Sequence, residues 1–359
     1  MIFEVFLGVL AGFAVGLIPG FHVNNVLSFL KSDLVIVSAS IAFVFASLIS
    51  SAFLGSGENF VVLPPVQRIL LKRKGILVLS KTINTLMFSA FLLPFFFYLF
   101  FLILGVFSFF KKLFFFFLFG ALIGFLKHGL KALVVILLSS GLGLICLNKD
   151  LLFPLLAGFF ASPTLLASIF MVRSFPKQVE VFSKEVCYRH SFLAGFLSLF
   201  FSLIPAVSSS IVAVIAKSFF GLEEDDFIIF TGAVSYYYMV FSFAAYSFFG
   251  ITRSGSAAYL TSKPGLLSLL GLLIFTTIVS GYLALFFLKK AFTVLYFFGR
   301  KLFSFVFLLL LFLVFFHHGF FGLLVFFTST CIGLLCQELE VPRHVCMASL
   351  IVPTMLLIY

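Results

Sequence analysis

Long apolar runs, punctuated by short basic or glycine- and proline-bearing stretches, fill this chain from end to end. They lie at 2–18, 34–54, 76–109, 113–147, 151–172, 190–216, 227–249, 265–288, 291–316, 319–336 and 343–359. A hydrocarbon core about 30 Å thick takes roughly 20 apolar residues per helical crossing, so each run predicts a membrane helix or a segment that bends and returns. A membrane β-strand would alternate apolar and polar positions over about ten residues. The stretch LFFFFLFGALIGFL at 113–126 does not alternate. Run 113–147 exceeds one crossing and predicts two helices divided near Lys127, His128 and Gly129. The expected fold is all-α, a polytopic membrane protein with about 10–12 hydrophobic helical segments, some of them interrupted or re-entrant.

The polar stretch RSFPKQVEVFSKEVCYRH, residues 173–190, divides the chain near its middle. It predicts a connecting loop between a first unit, 1–172, and a second, 191–359. The two units echo each other. FLGVLAGFAVGLIPGFHVNNVL begins at Phe6 and FLAGFLSLFFSLIPAVSSSIVA begins at Phe192. At an offset of 186, Phe6, Leu7, Leu17, Ile18, Pro19 and Val26 recur, while Gly8, Gly16 and Gly20 become the small residues Ala194, Ser202 and Ala206. Later, GLIC at 143–146 is matched by GLLC at 333–336. These echoes predict two related units, an arrangement common in secondary transporters, where a site forms between the units.

Composition sharpens the class. The chain is 63% hydrophobic and 10% charged, with a mean hydropathy of +1.30. A soluble domain carries about 25% charged residues. The 59 phenylalanines and absent tryptophan fit bulk hydrophobicity, with Tyr282, Tyr296 and Tyr359 as interface candidates. The net charge is +11, but its sources sit between apolar runs: Arg68, Lys72, Arg73 and Lys74, then Lys111 and Lys112, Lys289 and Lys290, Arg300 and Lys301. That is the pattern of membrane flanks, not of a nucleic-acid surface. Glu4 and the lack of a small-residue cleavage site read as a retained first helix in a multi-pass protein of the cell membrane. Five cysteines without a CxxC pair support neither a disulfide scaffold nor a metal cluster, and no metal ligand is assigned. The six histidines form no HExxH, and neither a phosphate-binding loop nor a serine elbow is present. No enzymatic activity and no cofactor are expected.

The candidate chemistry lies where helices break. In GLIPGFHVNN, residues 16–25, Pro19 lacks an amide donor and Gly20 permits unusual angles, so the helix should stop. His22, Asn24 and Asn25 place polar atoms beside the break. Broken backbone at membrane depth needs internal partners or a watered cavity, and half-helix amides can bind an anion. The competing reading is an interfacial turn capped by Asn24 or Asn25. The second-unit counterpart is SLIPAVSSS, with Pro205 and the hydroxyls of Ser208, Ser209 and Ser210; a serine-rich packing face competes. A further island, SSAFLGSGENFVVLPP at 50–65, carries Gly55, Gly57, Glu58 and Asn59. Glu58 needs water, an ion or a partner, and a surface ion pair with the Arg68–Lys74 loop is the simpler account. In the second unit Arg253, Ser254 and Ser256 follow the tyrosines Tyr236, Tyr237 and Tyr238. Arg253 has donors suited to carboxylate or phosphate, or is an ordinary membrane-edge arginine. The acidic run Glu223–Asp226 reads as a solvent loop or helix cap.

GLIPGFHVNN, the FLGSGEN segment and the RILLKRKG loop, with SLIPAVSSS and ITRSGSAAYL, together resemble the archaeal branch of the TctA family, the large membrane subunit of tripartite tricarboxylate transporters. The resemblance implies a duplicated transporter fold that binds carboxylate anions and couples to a cation, Na+ or H+. It implies a small membrane subunit and a binding protein as partners besides membrane lipid. The sequence departs from the pattern at Ala206, where glycine follows the proline, at Val23, where a second proline is common, and in a less acidic segment at Glu58 and Asn59. These departures weaken transfer of tricarboxylate specificity. The expectation is a secondary transporter of an organic or lipid-linked anion working by alternating access. A flippase for a polyprenyl-phosphate-like lipid and an intramembrane enzyme or assembly protein are the alternatives.

Overall fold

The computed structural model describes all residues except 1, 19–21, 24–25, 55–62, 111–113, 148, 150, 172–175, 205–206 and 359. The described residues form helices and irregular segments, with no strand among them. Among the described residues, five helices are long and apolar enough to cross a membrane: Asp33–Ser51, Gly75–Ile103, Glu224–Phe249, Leu266–Val294 and Phe303–Glu338. The chain is an all-α polytopic membrane protein.

The first helix, α1 (Ile2–Leu17), buries a glycine face against α2 (Asp33–Leu54). Gly8 lies on Val35 and Ser38, Gly12 on the Ala39 carbonyl, and Gly16 on Phe43 and Ala46. Glycines four apart let the two backbones touch, the usual solution for helix pairing in lipid. Both sequences of contacts rise together, so α1 and α2 run parallel. The chain between them must therefore travel back to the face from which α1 started. Val23 and Leu27 are fully buried on this return. Ser50 Oγ donates to the Gly16 carbonyl at 2.8 Å, satisfying a carbonyl freed at the end of α1. α1 and the described residues of 22–32 thus lie on the two arms of a hairpin that starts and ends at the face where α2 begins.

At the other end of α2, α3 (Leu63–Leu71) leads into α4 (Gly75–Phe110) through the basic turn Lys72–Lys74. The connecting segment runs over this basic face and along α4 as an irregular strap. Gln178, buried, accepts from the Gly75 amide at 2.9 Å and donates to the carbonyls of Leu70 and Pro176. Farther along, the Ser183 amide donates to Ser80 Oγ, Asn84 donates to the Ser183 carbonyl, and the Cys187 amide donates to Thr85 Oγ1. The strap makes no regular structure, so its polar backbone is satisfied by α4.

A second hairpin follows. α9 (Tyr188–Phe201) runs parallel to α4, with Ser191 on Ser89 at 2.7 Å and Gly195 on Phe96. α10 (Ser209–Phe220) returns antiparallel to α11 (Glu224–Phe249): Ser209 meets Ser235, and Lys217 lies 4.7 Å over the Phe227 ring. Gly221, with φ 60°, makes the turn between them. This hairpin enters from the basic face, so the two hairpins enter from opposite faces. α11 is antiparallel to α2. Its start pairs Glu224 with Arg68, and with Lys72 at 3.6 Å, beyond the end of α2. Just past its end, the Thr261 and Ser262 amides and hydroxyls bind Asp33 at the start of α2.

α13 (Leu266–Glu338) begins on that second face and passes back along α4, Gly281 against Met87 and Phe292 against Gly75. Separate segments at 265–288 and 291–316 were expected, but the helix continues through Lys289 and Lys290. Neither lysine needs a loop. Lys289 pairs with Glu180 of the strap at 2.6 Å, and the Lys290 ammonium lies 4.3 Å over the Phe286 ring. The expected division near Gly129 is present: α5 (Phe114–Phe125) ends in a 3-10 turn, Gly129 takes φ 75° and ψ −163°, and α6 (Leu130–Leu147) follows. Gly319 interrupts α13 with nearly the same angles, φ 60° and ψ −155°.

Among the described residues the buried apolar side chains form two large cores and a small cluster of Ala157, Val314 and Phe326. The larger joins α1, α2, α4, α9, α10, α11 and the first part of α13. The smaller core joins α5 and α6, α7 (Leu152–Leu156) and the π turn at Ala157–Ala161 that leads into α8 (Ser162–Met171), the last part of α13, and α14 (Ala348–Ile358). Each core draws on residues from before and after the strap.

Candidate functional site

The two hairpin turns carry the residues singled out by the sequence. In the first turn Pro19, Gly20, Asn24 and Asn25 lie outside the described residues. His22 is described: its ring packs 4.9 Å from that of Phe43, at the depth of the α1 terminus. Gly55, Gly57, Glu58, Asn59 and Pro205 also lie outside the described residues. Among the described residues Arg68 and Lys72 pair with Glu224. The acidic run is thereby a helix start, with Glu224, Asp225 and Asp226 in the first turn of α11, where carboxylates favour the helix dipole.

The second turn is better defined. α10 begins at Ser209, so the amides of its first turn have no carbonyl partner within the helix. Ser209 Oγ lies 3.3 Å from Ser235 Oγ of α11. Along α11, Ser235, Tyr238 and Ser242 fall three and four residues apart and share one face. The Ser242 hydroxyl is 2.7 Å from that of Ser254, which also caps the short helix α12 (Gly255–Ala258) by accepting from the Ala257 amide. Arg253 precedes this cap and is half-buried, and burial pushes its guanidinium down to about 10, so it stays charged at neutral pH. Ser256 is buried within α12. One face of α11 thus connects Ser208–Ser210 to Arg253 and Ser254.

Hydrogen-bond satisfaction separates structural from functional candidates on that face. Tyr236 pairs with Thr277 of α13 at 2.8 Å, and Tyr237 is 3.3 Å from Ser191 of α9, so both tie helices together. The Tyr238 hydroxyl is buried without a hydrogen-bond partner among the described residues. So are the hydroxyls of Ser198 and Ser202 on the descending arm and Ser210 on the returning arm. Buried polar groups are nearly always paired, so four orphans around one hairpin turn need an explanation. Hydroxyl donors and helix-start amides directed to one place can hold a negatively charged group. The sequence identified the serines of α10. It named Ser202, in SLIPAVSSS, and Tyr238, in the tyrosine run, without assigning either a role; a position on two helices is what picks them out.

The sequence also holds a second register that the echo at 186 obscured. His128 and Gly129 recur as His318 and Gly319, Ser139 as Ser329, Gly143 as Gly333, Cys146 as Cys336, Pro163 as Pro353 and Thr164 as Thr354, all 190 apart. No protein-family model, curated protein or solved structure matches this chain.

Proposed function

We propose that this protein is a secondary transporter of an organic or lipid-linked anion, resident in the cell membrane, with the second hairpin turn as part of its binding site. The observation that carries the reading is that Ser202, Ser210 and Tyr238, on the helices that flank the second turn, have buried hydroxyls without a hydrogen-bond partner among the described residues. Two hairpins entering from opposite faces, with matched sequence elements 186 and 190 residues apart, support two units of inverted topology around a central site. The resemblance to the archaeal TctA branch supports a carboxylate or similar anion, and coupling to Na+ or H+. Arg253 supplies the positive charge. A charged headgroup fits the same donors, so a polyprenyl-phosphate-like lipid is the second reading. The excess of Lys and Arg supports a cytoplasmic side for the face bearing Arg68, Lys72, Arg73 and Lys74.

The test is flux in proteoliposomes. Labelled succinate and citrate are offered under a Na+ gradient and under a proton gradient, and a fluorescent polyprenyl phosphate is scored for leaflet exchange. Uptake that falls in Ser210→Ala supports the carboxylate reading, and exchange that falls in the same variant supports the lipid reading. A correctly inserted protein that moves none of these probes, or a Ser210→Ala protein that moves them unchanged, overturns the proposal.

A further inference from the structure

At the basic face, well away from the hairpin turn, three metal-ligating side chains converge. Cys187 ends the strap, His190 lies three residues on in the first turn of α9, and Asp226 lies in the first turn of α11. One ligand atom from each, a thiol sulfur, an imidazole nitrogen and a carboxylate oxygen, lie within 4.8 Å of one another. His190 Nε2 is 3.8 Å from Asp226 Oδ1. Zinc binds such atoms at about 2.0–2.3 Å, which puts neighbouring ligands of a tetrahedral shell roughly 3.5 Å apart. Small side-chain rotations close the remaining distance, and all three residues are partly exposed, so an ion can reach them.

We propose that Cys187, His190 and Asp226 form a binding site for a divalent cation of the zinc class, with three protein ligands and the fourth position taken by water. Mixed sulfur, nitrogen and oxygen donors select this class over magnesium or calcium, which take oxygen alone. A thiolate and a carboxylate balance the two charges of the ion, and a neutral imidazole completes the set. The neighbouring cations are Lys81 and Arg189. Lys81 pairs with Glu185 at 2.7 Å. A cysteine ligand binds as the thiolate, so the ion displaces a proton on binding.

The position gives the site a role. α9 carries the chain into the second hairpin, and α11 receives it three residues after α10 ends. An ion shared by Cys187, His190 and Asp226 ties the entry and exit of that hairpin to each other and to the strap. This holds whether or not the protein transports an anion.

The test uses the full chain in detergent, stripped with a chelator and titrated with Zn2+, Co2+ and Mg2+. One equivalent of zinc should bind and raise the melting temperature, while magnesium should not. Cobalt should give a thiolate charge-transfer band and the visible bands of a four-coordinate ion. Cys187→Ser, His190→Ala and Asp226→Asn should each lose at least tenfold in zinc affinity, and Cys331→Ser, at an exposed cysteine elsewhere, should lose none. Where one variant fails to fold, the other two and the wild-type cobalt spectrum still decide. No thiolate–cobalt band in the wild type overturns the proposal. So does zinc affinity retained in the folded variants, which would assign the ion to other groups such as His317 and His318.

Discussion

Replacing Tyr238 with phenylalanine removes one oxygen and keeps the ring. In the structure that hydroxyl is buried and unpaired among the described residues. An unsatisfied buried hydroxyl costs about 1–3 kcal/mol of desolvation that no bond returns. Tyr236 and Tyr237 provide internal controls, since their hydroxyls reach Thr277 and Ser191. Tyr238→Phe should therefore stabilise the ligand-free protein by about 1–3 kcal/mol, while Tyr236→Phe should destabilise it by about 1 kcal/mol. At ~2 °C per kcal/mol for a chain of this size, Tyr238→Phe should melt about 2–6 °C higher. A hydrogen bond to a charged ligand contributes about 1.5–3 kcal/mol, and 1.4 kcal/mol is tenfold in affinity. Binding of the transported anion should then weaken roughly tenfold or more. The assay is thermal unfolding in detergent, run alone and against citrate, succinate and a polyprenyl phosphate. Higher stability together with weaker binding is the expected signature. Lower stability would mean that the hydroxyl has a partner, and higher stability with unchanged binding would mean that the orphan serves no ligand. Either result refutes the reasoning.

Gly12→Ala should lower stability by about 2–4 kcal/mol, because the new methyl meets the Ala39 backbone, which cannot rotate away; Gly141→Ala on α6, with open space around it, should be neutral or gain up to ~1 kcal/mol in the same melting assay. Gly129→Ala meets no neighbour either, so its expected loss of about 1–3 kcal/mol is a pure backbone effect of the positive φ, and Gly319→Ala should match it. Gln178→Ala leaves the Gly75 amide and the Leu70 carbonyl without their partner and should lose about 2–4 kcal/mol, read by melting and by faster proteolysis within 176–187. Arg253→Gln should weaken anion binding while Arg253→Lys retains part of it, read in the same ligand-shift assay.

The sequence marked the places where helices stop, because proline and glycine act through local backbone chemistry. α1 ends at Leu17 and α9 at Phe201, just before Pro19 and Pro205, and Gly129 divides α5 from α6. It did not reveal which way the chain goes next. A returning hairpin is as apolar as a crossing, so 190–216 read as one run, although it holds both α9 and the start of α10. The parallel pairing of α1 with α2 is written in Gly8, Gly12 and Gly16, but their partner is fixed only by tertiary contact. The continuation of α13 through Lys289 and Lys290 depends on Glu180 and Phe286, one of them distant in the chain. Likewise Asp226 joins Cys187 and His190 only through folding. The matches at 190 were in plain view, but a four-residue shift from the matches at 186 splits a single alignment into two weak ones.

The glycine face of α1 bears on how the protein is made. α1 has 16 residues, about 24 Å of helix at 1.5 Å per residue, against a hydrocarbon core of about 30 Å. It is shorter than that core is thick, and it packs along α2. Its stable seat is α2, which leaves the ribosome soon after it, so the first hairpin can close while translation continues. The second hairpin leans on α4, finished long before, and on α11, which follows it. Its assembly must wait for the strap to lay α9 beside α4. Membrane insertion of the first hairpin is therefore a local event, and that of the second a late docking step onto a bundle already in place.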